Sequence, residues 1–130
     1  MYQVEKKEDN PMLKIYIAGK LTADNPVEYI ANVKAGNRAW VELMKLGHAP
    51  MWSGMDFVGL LEEGIPVEQL KAASMEWLKT ADVILLLPNS ELSSGVKAEL
   101  DTALNFEIPV IDVWTWDTLA SQIRNLEEMV

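Results

Sequence analysis

Cysteine is absent from the 130 residues, and histidine occurs once, at His48. The first absence excludes a disulfide framework and thiolate chemistry. The second leaves neither a metal-ligand cluster nor a Ser-His-Asp triad with its parts, so no metal and no cofactor is expected. Positive charge is scarce. Eleven Lys and Arg stand against 20 Asp and Glu, a formal net charge of −9, which argues against a nucleic-acid polymer or an anionic membrane as partner. No apolar run approaches the ~18 residues of a membrane span, and the charged start does not read as a signal peptide. A cytoplasmic protein is expected.

Nucleotide-binding glycine motifs are also missing. Ala18-Gly-Lys-Leu-Thr22 lacks the leading glycine of a P-loop, and Lys20 is followed by Leu21 rather than Ser or Thr. No Gly-x-Gly-x-x-Gly follows a strand, and no Gly-x-Ser-x-Gly elbow occurs. A phosphorylatable receiver would need acids after its central strand, where this chain has Pro88 and Asn89.

What is present is a globular balance, 49% hydrophobic and 24% charged, at a length that suits one domain. Residues 1–11 read as a loosely ordered arm and 12–130 as the domain. Leu13–Gly19 reads as a strand. A helix follows from Pro26 to Leu46, with Asn25 as N-cap, Gly47 as stop and Ile30, Val33, Ala39 or Trp40, Leu43 and Met44 inward. His48–Trp52 is a short strand with His48 exposed at its start. Ser53–Pro66 is irregular, with a helical piece at Phe57–Leu61. A helix at Val67–Thr80 points Leu70, Ala73 or Ser74, Trp77 and Leu78 inward. Val83–Leu87, continuously apolar, suits a central parallel strand covered on both faces. The helix opening at Ser93–Gly95 has Val96, Leu100, Ala103 and Phe106 or Glu107 as its inward stripe. Pro109–Val113 and Thr118–Met129 complete the chain. Alternating strands and helices predict an α/β fold: a single-domain, doubly wound, flavodoxin-like (Rossmann-like) parallel sheet of four to five strands with helices on both faces.

In such sheets ligands bind at the carboxyl ends of the strands. Two loops meet there, Gly19–Asn25 with Lys20 and Thr22, and Asn89–Gly95 leading into Glu99. Ser93, Ser94 and the amides near Gly95 form an anion cradle at a helix start, or Ser93 is simply an N-cap. Glu99 lies along the inward stripe or its edge. It is a functional carboxylate, or a solvated glutamate paired with Lys97 or Lys20. Tyr16 is placed to reach this site or to pack in the core. Asp82, at the wrong end of its strand, is assigned a structural role. Asp56 follows the second strand on the correct edge and is the candidate second carboxylate, although turn aspartates are common. Trp114 and Trp116, beyond the last strand, line the pocket or pack at a subunit interface.

Tyr16-Ile-Ala-Gly19, Trp77-Leu-x-x-Ala-Asp-Val83 and Ser93-x-Gly-x-x-x-Glu99, followed by Ala103 and Pro109, resemble the nucleoside 2-deoxyribosyltransferase-like superfamily, which includes deoxynucleoside 5′-monophosphate N-glycosidases. The resemblance spans roughly Lys14 to Val113. It implies a flavodoxin-like sheet, a homo-oligomer (dimer or higher) with sites near subunit contacts, and cleavage of an N-glycosidic bond. It further implies Glu99 as the nucleophile at the anomeric carbon, Ser93 and Gly95 at the 5′ end, and Tyr16 and Gly19 lining the nucleoside pocket. Two departures stand out. Ser74 occupies the place where the glycosidases carry an aspartate. The first loop offers Lys20 and Thr22 instead of the arginine or second serine of phosphate-specific members.

The leading expectation is an N-glycosidase or deoxyribosyltransferase-like enzyme acting on a small nucleoside or nucleotide, with Glu99 and Asp56 catalytic and Tyr16, Gly19, Lys20, Ser74, Asn89, Ser93 and Gly95 binding substrate. The alternative is a non-catalytic nucleotide- or phosphosugar-binding sensor using the same pocket. A third reading is an interaction module presenting its tryptophans and methionines.

Overall fold

Alternation along the first strand places Ile15 and Ile17 on one face and Tyr16 and Ala18 on the other, and all four are buried. The computed structural model describes residues 11–54, 64–90 and 93–129, and there this segment forms β1 (Lys14–Ala18), at the centre of the sheet. β2 (Ala49–Trp52) and β3 (Val83–Leu86) flank it, and β4 (Val110–Asp112) lies beyond β3. Every pairing is parallel, with Ile17 opposite both Trp52 and Leu85. The order β2-β1-β3-β4 is the doubly wound topology expected, with four strands among the described residues. The arm at 1–10, the helical piece at Phe57–Leu61 and Asp56 lie outside them.

Among the described residues four helices cover the sheet: α1 (Pro26–Lys45), α2 (Val67–Leu78), α3 (Ser94–Asn105) and α4 (Leu119–Met129), the last entered through a 3-10 turn at Trp116–Thr118. They divide between two buried layers. Ile15, Ile17, Val83 and Leu85 pack with Ala39 and Leu43 of α1 and Leu119 and Ile123 of α4. On the opposite face Tyr16, Ala18, Ile84 and Leu86 pack with Leu78 of α2 and Val96 and Ala103 of α3. Because the chain leaves β1 for one side and returns to β3 on the other, the crevice opens at the carboxyl ends of these two strands.

Local chemistry sets the helix ends. Asn25 accepts from the Glu28 amide at 2.8 Å and Pro26 begins α1. Gly47, at φ 86°, takes the left-handed conformation that ends it. A β-carbon on Gly36 would lie 1.9 Å from Trp52 Cε2, so the bare glycine lets the indole press against α1.

The inward faces differ from expectation at several positions. α1 has 20 residues, about 30 Å against ~17 Å for the central strand; it overhangs the sheet, and Ile30 is 53% exposed. In α2, Ser74 and Leu78 are buried, whereas Trp77 is 64% exposed. α3 stops at Asn105, so Phe106 and Glu107 leave the stripe, and Glu107 takes φ 56°. His48 is buried rather than exposed. Its Nδ1 accepts from the Leu13 amide at 3.1 Å, and its Nε2 lies 3.0 Å from Glu127 Oε2 of α4. Asp82 has the structural role expected, accepting from the Lys14 amide at 2.8 Å. Trp114 is exposed, and Trp116 lies 4.3 Å beneath the Arg38 guanidinium. Neither tryptophan lines the cavities at the carboxyl rim. Among the described residues no helix is long and apolar enough to cross a membrane.

Candidate active site

The end of β1, the start of α3 and one face of α2 enclose a cavity of about 250 Å³, close to the lower end of the ~300–1,000 Å³ usual for small-molecule sites. Six of the expected residues line it: Tyr16, Gly19, Ser74, Ser93, Gly95 and Glu99. Lys20 and Asn89 line an adjoining cavity that shares Thr22, Ser93 and Ser94 with the first.

Tyr16 lies mid-strand on the face toward α2 and α3, and its hydroxyl donates to Glu99 Oε2. α3 can present Glu99 there because Val96, one turn earlier, and Ala103, one turn later, are buried against the sheet. Burial pushes the Glu99 carboxyl up to about 7, and the Tyr16 hydrogen bond works against that rise. The phenol is itself driven above its ordinary value, first by burial and then by the neighbouring Glu99. Tyr16 therefore keeps its proton and acts as a donor.

Ser93 caps α3, its Oγ 3.5 Å from the Val96 amide. The amides of Ser94 and Gly95 open the helix without intrahelical partners, and the helix dipole adds partial positive charge there. A β-carbon on Gly95 would meet nothing nearer than Ser93 Oγ at 3.9 Å, so this position faces open space. Gly19 is different. A β-carbon there would lie 2.6 Å from Leu87 Cδ1, so the glycine serves close packing under the loop. The two rim loops are joined by the Lys20 amide, which donates to buried Ser90 Oγ at 3.0 Å.

Ser53, Leu70, Lys71 and Met75 also line the first cavity and were not singled out from the sequence as site residues. Ser53 follows β2, the parallel neighbour of β1, so knowledge of the strand order would have put it at the rim. Lys71 precedes Ser74 by three and shares its helix face. Among the described lining residues Glu99 is the one carboxylate and Lys71 the one cation. No group of three or more acidic or histidine side chains suited to a metal occurs among the described residues.

The family described as Domain of unknown function (DUF4406) matches residues 13–112. The chain belongs to the DUF4406 family. Its fold is 2-deoxyribosyltransferase-like. A solved 2-deoxyribosyltransferase from the psychrotolerant bacterium Bacillus psychrosaccharolyticus, described as a biocatalyst for the synthesis of antiviral and antitumoral nucleosides, superposes with a TM-score of 0.57. The two are 20% identical over 76% of this chain and 70% of that one. The curated proteins searched contain no match to the sequence. At this identity the likeness shows the fold of this DUF4406 chain.

Proposed function

We propose that this chain cleaves or transfers the N-glycosidic bond of a (deoxy)nucleoside or nucleoside monophosphate, with Glu99 as nucleophile. The observation that carries this reading is the Tyr16–Glu99 hydrogen bond inside a cavity at the carboxyl rim of the sheet. The tyrosine fixes one carboxylate oxygen and favours the ionised form, the form that attacks.

In the first step Glu99 bonds to the anomeric carbon as the carbon–nitrogen bond breaks, and the electron pair leaves on the base. In the second, water or another base attacks the same carbon and Glu99 departs as a carboxylate. Water, or the N–H of an accepting base, gives up its proton to solvent. Ser74 on α2 is too weak an acid to supply a proton, so the departing base takes one from solvent or from Asp56, the second carboxylate expected from the sequence. The homo-oligomer implied by the sequence resemblance belongs to this reading and is checked by light scattering.

Ser74, where the glycosidases carry an aspartate, favours one competing reading, a protein that binds a nucleoside or nucleotide without turning it over. Release of free base from a panel of deoxynucleosides and their monophosphates separates the two. Release that is lost in Glu99→Gln supports the enzyme. Saturable binding without release supports the binding protein. No binding of any panel member overturns both.

A further inference from the structure

We infer that Glu28 is a specificity-determining residue that selects substrates with an uncharged 5′ end, so that the chain takes nucleosides in preference to 5′-monophosphates. This rests on the nucleoside-directed reading of the Glu99 cavity and deepens it. The second cavity continues from the first past Thr22, Ser93 and Ser94, hydroxyl-bearing residues that line both. A nucleoside whose anomeric carbon lies at Glu99 extends its far end in that direction.

The charges around that continuation are the deciding feature. Lys20 is the one cation among its described lining residues, and its Nζ lies 3.0 Å from Glu28 Oε1. The other oxygen of Glu28 accepts from the Asp24 amide at 3.4 Å. Glu28 thus neutralises Lys20 and helps hold the loop that carries it, and these contacts lower its pKa from the ordinary value. Asp24 lines the same cavity. One cation against two carboxylates makes the side-chain charge of the described lining net negative, which opposes the partial positive charge of the α3 start, within a chain of net charge −9. A phosphate dianion there would have to displace Glu28 from Lys20 and then lie beside two carboxylates. A hydroxyl would need only the serine and threonine oxygens already present.

The test compares deoxynucleosides with their 5′-monophosphates, by base release and by calorimetric binding, in the wild type and in Glu28→Gln. The substitution keeps the shape of the side chain and frees the Lys20 charge. The wild type is expected to prefer the nucleoside, and Glu28→Gln to raise the monophosphate-to-nucleoside ratio by roughly tenfold, the effect of one charge ~5 Å from a dianion in a hydrated site. The gain should shrink as salt is added. A wild type that prefers monophosphates, or a ratio unmoved by Glu28→Gln, overturns this inference while leaving the Glu99 reading intact. Failure of every nucleoside and nucleotide to bind or react overturns both.

Discussion

Tyr16 gives its phenolic hydrogen to Glu99 across 83 residues of sequence, from the central strand to the helix that follows β3. The pair belongs to two elements that only the parallel crossover brings together. Each partner shifts the other's titration, so the contact has consequences measurable in rate and in stability.

For activity, ionised Glu99 is the attacking form, so base release should rise with pH through about 7, where burial has placed its carboxyl. Tyr16→Phe removes the hydrogen bond that favours ionisation. The rising limb should then move to higher pH, with a lower rate at neutral pH. Glu99→Gln should cost on the order of 10³-fold or more above pH 7, with the difference shrinking as the wild-type carboxyl takes up its proton at lower pH. A pH–rate profile of the three proteins is the measurement, and a limb that stays in place in Tyr16→Phe would remove Tyr16 from this role.

For stability, folded Glu99 takes up its proton at about 7 and the unfolded chain near 4.5. Between those values the native state binds more protons, so this group's contribution falls as pH rises. Its cost is absent below pH 4.5 and complete above about 7, where it reaches up to about 3 kcal/mol. Glu99→Gln should therefore melt higher than the wild type at pH 8 and nearly level with it at pH 4.5. Equal differences at both pH values would show that Glu99 is not desolvated.

Two glycines should answer differently to the same methyl group. Gly36→Ala drives a carbon to 1.9 Å from Trp52 Cε2 and should cost ~1–3 kcal/mol or more, with a change in tryptophan fluorescence. Gly95→Ala meets only Ser93 Oγ at 3.9 Å, so urea unfolding should be little altered while nucleoside binding weakens.

The buried His48 receives the Leu13 amide on one nitrogen and faces Glu127 with the other. His48→Ala leaves a buried amide and a largely buried carboxylate short of a partner, a loss of ~1–3 kcal/mol for each group. Combined with Glu127→Ala the losses should be less than additive, as a double-mutant cycle in urea would show. Full additivity would mean the two side chains do not interact.

Much of this was legible before the fold was seen. The unbroken apolar run at Val83–Leu87 marks a strand covered on both faces, and period-two alternation put Tyr16 on the face it occupies. The spacing of Val96, Glu99 and Ala103 placed the carboxylate along the buried stripe. Other features were not written locally. Periodicity makes Trp77 and Leu78 equally good inward residues, and only the position of α2 over the sheet buries one and exposes the other. The amphipathic stripe of α1 says nothing about where the sheet beneath it ends, so Ile30 looked like core. His48 is hidden by Glu127, a residue 79 positions later that no window around β2 contains. The division of the rim between two cavities depends on the Lys20–Glu28 pair, one of many i,i+8 charge pairings a sequence offers.

The bond from the Lys20 amide to Ser90 spans 70 residues and makes one mechanical unit of two segments. Neither can be redesigned alone. A graft of the Gly19–Asn25 segment onto a related scaffold has to bring a hydroxyl at position 90 with it, and a library that randomises one segment should vary the other in the same clones.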